Sequence, residues 1–254
     1  MSTIQQAQQE YDNVAADYNG ILSTPIGTLE SQLIKNTLGD LTGLTVLDLG
    51  GGTGLRARDA IDLGAVAADI VDLTPAMLKV AEDIEKSLGR NVMRFFEGDV
   101  GKSLSHLPLR EEGYDVVMAN WVLNYADTID VLEAMFRNIT GYLKPGGLFV
   151  GIRDANPLSL NYRSGKYGAT VKWDAPIPGG VKYFVAIHSD PPMEFEGVSL
   201  DVLNSGSPEV YEKAGLVNVE IVPYEIAEVV QQDPEFWEAF LAEPTLAVVK
   251  AVKG

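Results

Sequence analysis

The residues best suited to chemistry are a glycine-rich run and the acid just before it. Residues 46–54 read VLDLGGGTG, an apolar run that ends in glycines. Glycine lets a ligand approach the backbone closely, and the free N–H groups at the start of a following helix favour an anionic group such as a carboxylate. Asp48 ends the apolar run, where a buried carboxylate needs a donor such as an ammonium group. The pattern indicates an amino-acid-like ligand.

Polar residues also end the next three apolar runs. Asp72 ends the second run, where doubly wound folds place the acid that accepts hydrogen bonds from ribose hydroxyls. Asp99 follows the third run, and Asn120 ends the fourth. Open α/β sheets bind ligands beyond the carboxyl ends of their strands. Because an unpartnered buried carboxylate is costly, we predict functional roles for Asp48, Asp72 and Asp99.

The elements that must position these residues alternate between strands and helices. The strands are predicted at 45–49, 67–71, 92–96, 116–119 and 148–152, and the intervening segments have helical spacing. Buried runs joined by helices predict a parallel sheet. Two helices, over residues 4–18 and 29–38, are predicted before the first strand.

The composition and spacing of the sequence change after Asp154. Prolines and glycines interrupt any long helix there, and residues 181–187 and 198–203 have the pattern of antiparallel strands. We predict an inserted cap over this stretch. A helix at 209–214, a strand at 217–222, a helix at 234–241 and a last strand at 246–252 are then expected to complete the main sheet.

Composition excludes several classes of function. The net charge of −17 disfavours binding to nucleic acid, because phosphate neutralisation requires basic residues. The absence of cysteine excludes disulfides and thiolate zinc sites, and we expect no metal. No apolar run reaches the ~18 residues of a membrane span, and no basic residue precedes Lys35, as a leader would require. A soluble cytoplasmic protein with no membrane partner is expected.

From residue 46 to 152 the sequence most specifically resembles the class I S-adenosylmethionine-dependent methyltransferases, whose first strand carries an acid followed by Gly-x-Gly-x-Gly. Asp48, Gly50, Gly52 and Gly54 match this pattern. The resemblance implies an α/β, Rossmann-like doubly wound sheet, mostly parallel with an antiparallel last strand. It implies one domain, with N-terminal lid helices (1–44), a cofactor-binding core (45–154), an inserted antiparallel β cap (155–205) and a C-terminal completion of the sheet (206–254). One departure is Asn124, where members often carry His.

The resemblance also implies S-adenosylmethionine as the cofactor and a role for each matching residue. Asp72 would hold the ribose, Asp99 and the Val100 backbone would contact adenine, and Asn120 would lie beside the methionyl part. The N-terminal segment with Tyr11 and Tyr18 resembles a lid helix. The cofactor-binding residues are thus predicted to be Tyr11, Tyr18, Asp48, Gly50, Gly51, Gly52, Thr53, Gly54, Asp72, Leu73, Met77, Asp99, Val100, Asn120 and Trp121.

The predicted reaction is methyl transfer to an oxygen or nitrogen of a small-molecule acceptor, of the kind found in secondary metabolism. Alignment of acceptor, methyl group and sulfur lowers the activation free energy by roughly 7–11 kcal/mol. A base is needed only when the acceptor must lose a proton. Trp121, Tyr125, Arg153 and His188 are the predicted acceptor contacts, and His188 is the candidate catalytic residue. Arg153 would grip an acceptor carboxylate, with an ion pair to Asp154 as the alternative.

Two other functions fit some of the same residues. Residues 52–57 satisfy Gly-x-Gly-x-x-Gly/Ala, and Asp72 lies twenty residues further on, as in an NAD(P)-dependent oxidoreductase. We rank this function below methyl transfer because Asp48 would be misplaced beside a pyrophosphate. A cofactor-binding module without catalysis is the second alternative. Trp121 and Tyr125 fit ordinary core aromatics equally well, and the sequence leaves the oligomeric state open.

Overall fold

The protein is described here by a computed structural model that covers the backbone of residues 3–254 and the side chains of residues 8–254. The strands of the described chain form two separate sheets. In chain order they are β1 (Thr45–Leu49), β2 (Ala67–Asp72), β3 (Met93–Glu97), β4 (Tyr114–Asn120), β5 (Leu143–Asp154), β6 (Ala169–Ile177), β7 (Gly180–Ile187), β8 (Met193–Leu200), β9 (Leu216–Ile221) and β10 (Leu246–Lys253).

The main sheet has seven strands in the order β3-β2-β1-β4-β5-β10-β9. β3, β2, β1, β4 and β5 are mutually parallel, whereas β10 pairs antiparallel with both β5 and β9. The fold is therefore the Rossmann-like doubly wound sheet with an antiparallel last strand that the sequence predicts. The order reverses between β1 and β4, and a crevice opens at that point beyond the carboxyl ends of the strands.

Helices cover both faces of this sheet. They are α1 (Thr3–Val14), α2 (Pro25–Leu38), α3 (Leu55–Asp62), α4 (Pro75–Ser87), α5 (Ile129–Tyr142), α6 (Asn161–Ser164), α7 (Asp201–Asn204), α8 (Glu209–Lys213), α9 (Glu228–Gln232) and α10 (Pro234–Ala242). Local sequence explains several starts: the Thr24, Thr128 and Asp233 side chains each accept a backbone N–H at the first turn of α2, α5 and α10. Among the described residues, no helix is both long and apolar enough to span a membrane.

The core lies on both faces of the main sheet, because successive side chains of a strand point to opposite sides. On β1, Val46 packs with α2 and α3, whereas Leu47 and Leu49 pack with α5. All three side chains are fully buried. Burial on both faces explains why the central strands read as continuous apolar runs instead of alternating ones.

The second sheet is antiparallel, in the order β6-β7-β8, and lies within the segment predicted as a cap. Two details differ from the sequence prediction. β6 was not predicted, because it is an edge strand whose residues, apart from Ala169, are exposed or half-buried and so lack an apolar alternation. β8 begins and ends earlier than the predicted 198–203, and Asp201–Asn204 is helical instead.

Smaller differences concern the starts of two elements. The turn predicted at residues 144–147 lies within β5, which begins at Leu143 and has an irregular register where it pairs with β4. The helix predicted to open at Asp127 is capped by Thr128. Neither difference moves a carboxyl strand end, so the positions of the polar residues there are unaffected.

Candidate cofactor and acceptor site

The glycine loop joins β1 to α3 at the crevice. Gly50, Gly52 and Gly54 have φ angles of 70°, 53° and 74°, in the left-handed region that favours glycine. Gly51 is needed for a different reason: a Cβ there would lie 2.9 Å from Oδ2 of Asp48. The loop therefore brings bare backbone to the crevice and packs closely on the acid that precedes it.

Asp72 holds the glycine loop in place from β2. Its Oδ2 accepts the Gly52 N–H at 2.7 Å, and its Oδ1 accepts the Thr74 N–H at 2.8 Å. Burial raises the pKa of this carboxyl, and the two N–H donors oppose the increase. Asp72 thus fixes the entrance to α4 and also lines the crevice.

Asp48 is the least satisfied group in the site. Its side chain is 1% exposed, and neither carboxylate oxygen has a hydrogen-bond partner in the described structure. Burial raises its pKa to about 7, and the Asp72 charge adds to the increase. The Ala57 N–H lies close enough to oppose this increase, but it forms no hydrogen bond of normal geometry. A buried acid without a donor indicates a missing cationic or N–H donor.

Two adjoining cavities occupy the crevice. The first, which we call the cofactor cavity, has a volume of about 100 Å³ and contains most of the predicted cofactor-binding residues. The second contains Asp48, Gly51, Glu30 and Arg56, and we call it the methionyl cavity. The residues lining the cofactor cavity are Gln8, Tyr11, Tyr18, Gly50, Gly52, Asp72, Leu73, Thr74, Met77, Gly98, Asp99, Val100, Asn120, Trp121, Val122, Tyr125 and Met135.

The structure thus brings together thirteen of the fifteen predicted cofactor-binding residues around these two cavities. The other two, Thr53 and Gly54, line neither. Thr53 is fully buried, and its hydroxyl donates to Asn19 Oδ1 at 2.7 Å. Asp99 accepts the Gly101 N–H at 2.9 Å and lies 3.0 Å from Lys102 Nζ. Asn120, like Asp48, has no partner for its side-chain atoms in the described structure.

Arg56 and Glu30 were not predicted and border the methionyl cavity. Arg56 Nη2 lies 2.6 Å from Glu30 Oε1, and its Nη1 lies 3.0 Å from Asp59 Oδ2. The Trp121 indole N–H donates to Glu30 Oε2 at 2.9 Å. Both partners of the Arg56 and Glu30 pair are nearly inaccessible, so the pair forms a rigid wall. Arg56 closely follows the glycine loop, but Glu30 lies 26 residues before Arg56, so the sequence gave no signal that the two meet.

A further cavity, which we call the acceptor cavity, lies between α1, the ends of β4 and β5, and the cap sheet. It has a volume of about 80 Å³. It shares Tyr11, Tyr18, Trp121 and Tyr125 with the cofactor cavity. Its other lining residues are Ile21, Ile26, Glu30, Asn124, Asp154, Tyr162, Ala169, Tyr183, Val185, Ile187, Phe195, Glu196, Gly197, Thr245 and Leu246.

Aromatic side chains form the shared wall between the cofactor cavity and the acceptor cavity. Tyr11 stacks on Phe195 of β8 with ring centroids 4.6 Å apart, and its hydroxyl lies 2.7 Å from the Tyr125 hydroxyl. Trp121 follows β4 with a φ of 64°. This uncommon backbone conformation for a bulky residue places its ring where all three cavities meet. Trp121 and Tyr125 therefore line cavities, as the functional prediction requires.

Asp154, at the end of β5, is the central polar group of the acceptor cavity. It is 1% exposed, and its Oδ2 accepts the Tyr183 O–H at 2.5 Å and the Asn124 Nδ2–H at 2.6 Å. Burial raises its pKa to about 6, against the effect of the Tyr183 hydrogen bond and the Arg153 charge. Gly197 lies opposite Tyr183 on β8, and a Cβ there would be 2.7 Å from the Tyr183 ring. Glycine at 197 therefore leaves the space in which Tyr183 reaches Asp154.

Two predicted acceptor contacts lie elsewhere. The Arg153 guanidinium donates to the Tyr211 hydroxyl at 3.2 Å and to the Asp154 backbone oxygen, and it lines none of the three cavities. His188 is exposed, lines none of them, and lies 3.2 Å from the Thr170 hydroxyl. The structure therefore places both predicted contacts away from the three cavities.

The position of Arg153 outside these cavities follows from strand alternation. Neighbouring residues of β5 point to opposite faces, so Asp154 shares the face of Ile152, and Arg153 shares the face of Phe149. The alternation of the last β5 residues between the two faces of the strand could be read from the sequence. It could have indicated Asp154 instead of Arg153. Asn124, noted only as a departure from the usual pattern, is one of the residues that donate a hydrogen bond to Asp154.

The fold and the three cavities define a class of protein: a doubly wound α/β domain with one cavity beside its glycine loop and a separate cavity under a cap sheet. Residues 46–147 match the methyltransferase domain family. Over 165 residues the chain is 30% identical to the demethylmenaquinone methyltransferase of Lactococcus lactis, covering 63% of this chain and 62% of that protein.

A second relative is the ubiquinone/menaquinone biosynthesis C-methyltransferase of Ectopseudomonas mendocina, 31% identical over 155 residues, or 58% of this chain and 57% of the relative. The chain thus covers less than two thirds of the length of either relative. An S-adenosylmethionine-dependent methyltransferase from Mesorhizobium loti has the same fold, with a TM-score of 0.57 at 21% identity over 86% of this chain and 95% of that one.

Residues 46–147 are thus similar to a methyltransferase domain, and the whole chain shares its fold with an S-adenosylmethionine-dependent methyltransferase, a class whose methyl donor is S-adenosylmethionine. The geometry of the site fits S-adenosylmethionine independently of these similarities. The unpartnered Asp48 carboxylate suits the ammonium group of the methionyl part, and Asp72 on β2 suits ribose hydroxyls. None of the similarities reported above supports the nicotinamide-dependent alternative.

Proposed function

We propose that this protein transfers a methyl group from S-adenosylmethionine to an oxygen or nitrogen of a small-molecule acceptor held in the acceptor cavity. The observation that carries the proposal is the meeting of the cofactor and acceptor cavities at Tyr11, Trp121 and Tyr125, with the buried Asp154 carboxylate on the acceptor side. The volume of the acceptor cavity, about 80 Å³, suits a small molecule better than a macromolecule.

S-adenosylmethionine supplies an electrophilic methyl group on a positively charged sulfur. Asp48 would bind the ammonium group, Asp72 the ribose, and Asp99 with the Val100 backbone the adenine. The aromatic residues where the cavities meet exclude water and restrict the approach of the acceptor. Positioning of this kind lowers the activation free energy by roughly 7–11 kcal/mol.

Asp154 is the proposed general base. Its pKa of about 6, raised by burial, leaves it mostly ionised at pH 7 and makes it a stronger base than an ordinary aspartate. Tyr183 and Asn124 hold the carboxylate by hydrogen bonds, so that it can accept the proton that a hydroxyl or ammonium acceptor must lose. The sequence offered His188 as the candidate catalytic residue, whereas the cavity offers a carboxylate.

A second candidate is methylation at carbon. The Ectopseudomonas mendocina relative is a C-methyltransferase of ubiquinone and menaquinone biosynthesis. The acceptor cavity is walled by tyrosines and Phe195, which suit a flat ring. Removal of a ring hydroxyl proton activates the neighbouring ring carbon, so Asp154 would have the same role in this reaction.

The cofactor part of the proposal is tested by thermal-shift measurements with S-adenosylmethionine, S-adenosylhomocysteine, NAD and NADP. We expect the first two ligands to raise the melting temperature. A shift with the nicotinamide cofactors alone would contradict the proposal.

The role of Asp154 is tested by Asp154→Asn. We expect kcat/KM to fall by roughly 10²–10⁴-fold, because a general base contributes about that much. In the wild type the rate should rise with pH through about 6, since only the ionised carboxylate accepts a proton, and the variant should lack this rise. Asp174→Asn, at an exposed position of β6, is the control. An unchanged pH profile in Asp154→Asn would remove Asp154 from the base role.

A further inference from the structure

The cofactor, methionyl and acceptor cavities meet at one point in the crevice. Among the described residues, Tyr18 and Trp121 are the two that line all three cavities. The sulfur of S-adenosylmethionine carries three carbon substituents: the methionyl chain, the adenosyl group and the methyl group. When each substituent occupies the cavity proposed for it, the positively charged sulfur lies where the cavities meet, beside Tyr18 and Trp121.

Trp121 is held at this point both through its backbone and through its ring. Its φ of 64° lies in the left-handed region, which a bulky residue rarely adopts. Its backbone N–H donates to the Ile152 oxygen at 2.8 Å, which fixes the main chain just after β4. The indole has a single N–H donor, and this donor is directed to Glu30 Oε2 at 2.9 Å. Glu30 therefore determines where the ring of Trp121 lies.

Glu30 is itself fixed by a chain of ion pairs that joins α2 to α3. Its other carboxylate oxygen, Oε1, lies 2.6 Å from Arg56 Nη2. Arg56 Nη1 lies 3.0 Å from Asp59 Oδ2, and Asp59 Oδ1 lies 3.0 Å from Lys35 Nζ. The side chains of Glu30 and Arg56 are nearly inaccessible. A buried polar network with its partners in place is rigid, so Glu30 can hold the Trp121 ring in one orientation.

We propose that Tyr18 and Trp121 bind the positively charged sulfur of the methyl donor, and that Glu30 is a positioning residue that acts through Trp121. Aromatic rings attract cations placed over their faces, and the attraction is strongest where water is excluded. Both rings are at least partly buried. This inference rests on the proposed function, because it takes S-adenosylmethionine as the donor and uses the roles proposed for the three cavities.

The consequence is a selective gain in affinity for the donor over its product. S-adenosylhomocysteine lacks only the methyl group and the positive charge, because sulfur keeps the electron pair when the S–C bond breaks. The adenosyl and amino-acid parts are the same in both ligands, whereas the attraction to an aromatic ring is lost with the charge. We define the donor preference as the Kd of S-adenosylhomocysteine divided by the Kd of S-adenosylmethionine. The two rings should increase this quotient.

The first experiment measures the donor preference of Glu30→Gln by calorimetry. The amide oxygen is expected to face the Arg56 guanidinium, so the amide N–H groups face the indole N–H and cannot accept it. We expect the donor preference to fall by roughly threefold to tenfold, because the Trp121 ring is no longer held against the charge. A purely structural role of Glu30 would weaken both ligands equally. An unchanged donor preference would therefore overturn the positioning role.

Glu85→Gln is the matched control. Glu85 is also a buried acid on a helix that is paired with an arginine, since its Oε1 lies 2.6 Å from Arg90 Nη2. It lines none of the three cavities. We expect its substitution to leave the donor preference unchanged. An equal fall in Glu85→Gln and Glu30→Gln would show that the loss of any buried ion pair has this effect, and the proposal would be wrong.

A second experiment separates the ring of Trp121 from the charge of Glu30. Trp121→Phe keeps an aromatic ring but removes the indole N–H, so Glu30 can no longer act through it. We expect Glu30→Gln to cause no further fall in donor preference when it is combined with Trp121→Phe. An equal fall with and without Trp121→Phe would show that the carboxylate attracts the sulfur directly, which would overturn the positioning role.

Tyr18→Leu tests the other ring independently. We expect its donor preference to fall by roughly threefold to tenfold, with the Kd of S-adenosylhomocysteine nearly unchanged. An unchanged donor preference would remove Tyr18 from the proposal. Melting temperatures without ligand establish that each variant folds. If the wild type binds neither ligand, the proposed function is wrong, whereas binding of both ligands with no effect of Tyr18→Leu or Glu30→Gln would overturn this inference alone.

Discussion

Replacement of Asp48 by asparagine is expected to stabilise the protein without its cofactor and to weaken cofactor binding. The folded chain buries this carboxyl without a hydrogen-bond partner in the described structure, and burial raises its pKa from the ordinary 3.8 to about 7. Between these two pH values the folded state keeps a proton on Asp48 that the unfolded state has released. The free energy of unfolding of the wild type therefore decreases as pH rises through this range, and asparagine removes the decrease.

The size of this stability effect follows from the pKa shift of Asp48. One pKa unit corresponds to about 1.4 kcal/mol, so a shift of about three units costs the ionised folded state about 4 kcal/mol. In the interval from pH 5.5 to pH 8, the free energy of unfolding of the wild type decreases only up to about pH 7, and this decrease is about 2 kcal/mol. The advantage of Asp48→Asn over the wild type should thus increase by about 2 kcal/mol across this interval and level off above pH 7.

Urea denaturation of both proteins at pH 5.5 and pH 8 measures this difference, and taking the difference between two pH values cancels the intrinsic effect of the amide. Asp174→Asn, on the exposed edge strand β6, is the control and should show no such change. Calorimetry at pH 8 should show S-adenosylmethionine bound roughly tenfold to a hundredfold more weakly by Asp48→Asn, because a charged hydrogen bond is lost. If the advantage of Asp48→Asn did not change with pH, or if its affinity matched the wild type, the reasoning would be refuted.

Two further predictions concern the second strand end and the cap. Asp72→Ala should weaken S-adenosylhomocysteine binding roughly tenfold to a hundredfold in calorimetry, and unaltered affinity would remove Asp72 from the ribose role. Gly197→Ala should lower the free energy of unfolding by about 1–3 kcal/mol in urea denaturation, because its Cβ would lie 2.7 Å from the Tyr183 ring. Gly141→Ala on α5, where a Cβ meets nothing within 4 Å, should instead be neutral or stabilising, and equal losses in both variants would contradict the steric argument.

The sequence by itself was sufficient for the cofactor half of the molecule. β1, the glycine loop and the acids near each strand end lie in one continuous segment, and parallel strands necessarily bring their carboxyl ends to the same edge. Knowing the order of elements was therefore enough to place Asp48, Asp72 and Asn120 near one another. Thr53 was placed on the ligand side only because it lies within the loop, whereas its side chain packs against Asn19.

The acceptor half depended on the tertiary structure. Asp154, Asn124, Tyr183 and Phe195 come from β5, the turn after β4, and two strands of the cap, and nothing in their spacing indicates that they line one cavity. Within the cap, β6 gave no periodic signal, because all of its residues except Ala169 are exposed or half-buried. Contacts between segments far apart in sequence are fixed by how the cap packs on the sheet, so only the folded chain decides which carboxylate faces the acceptor.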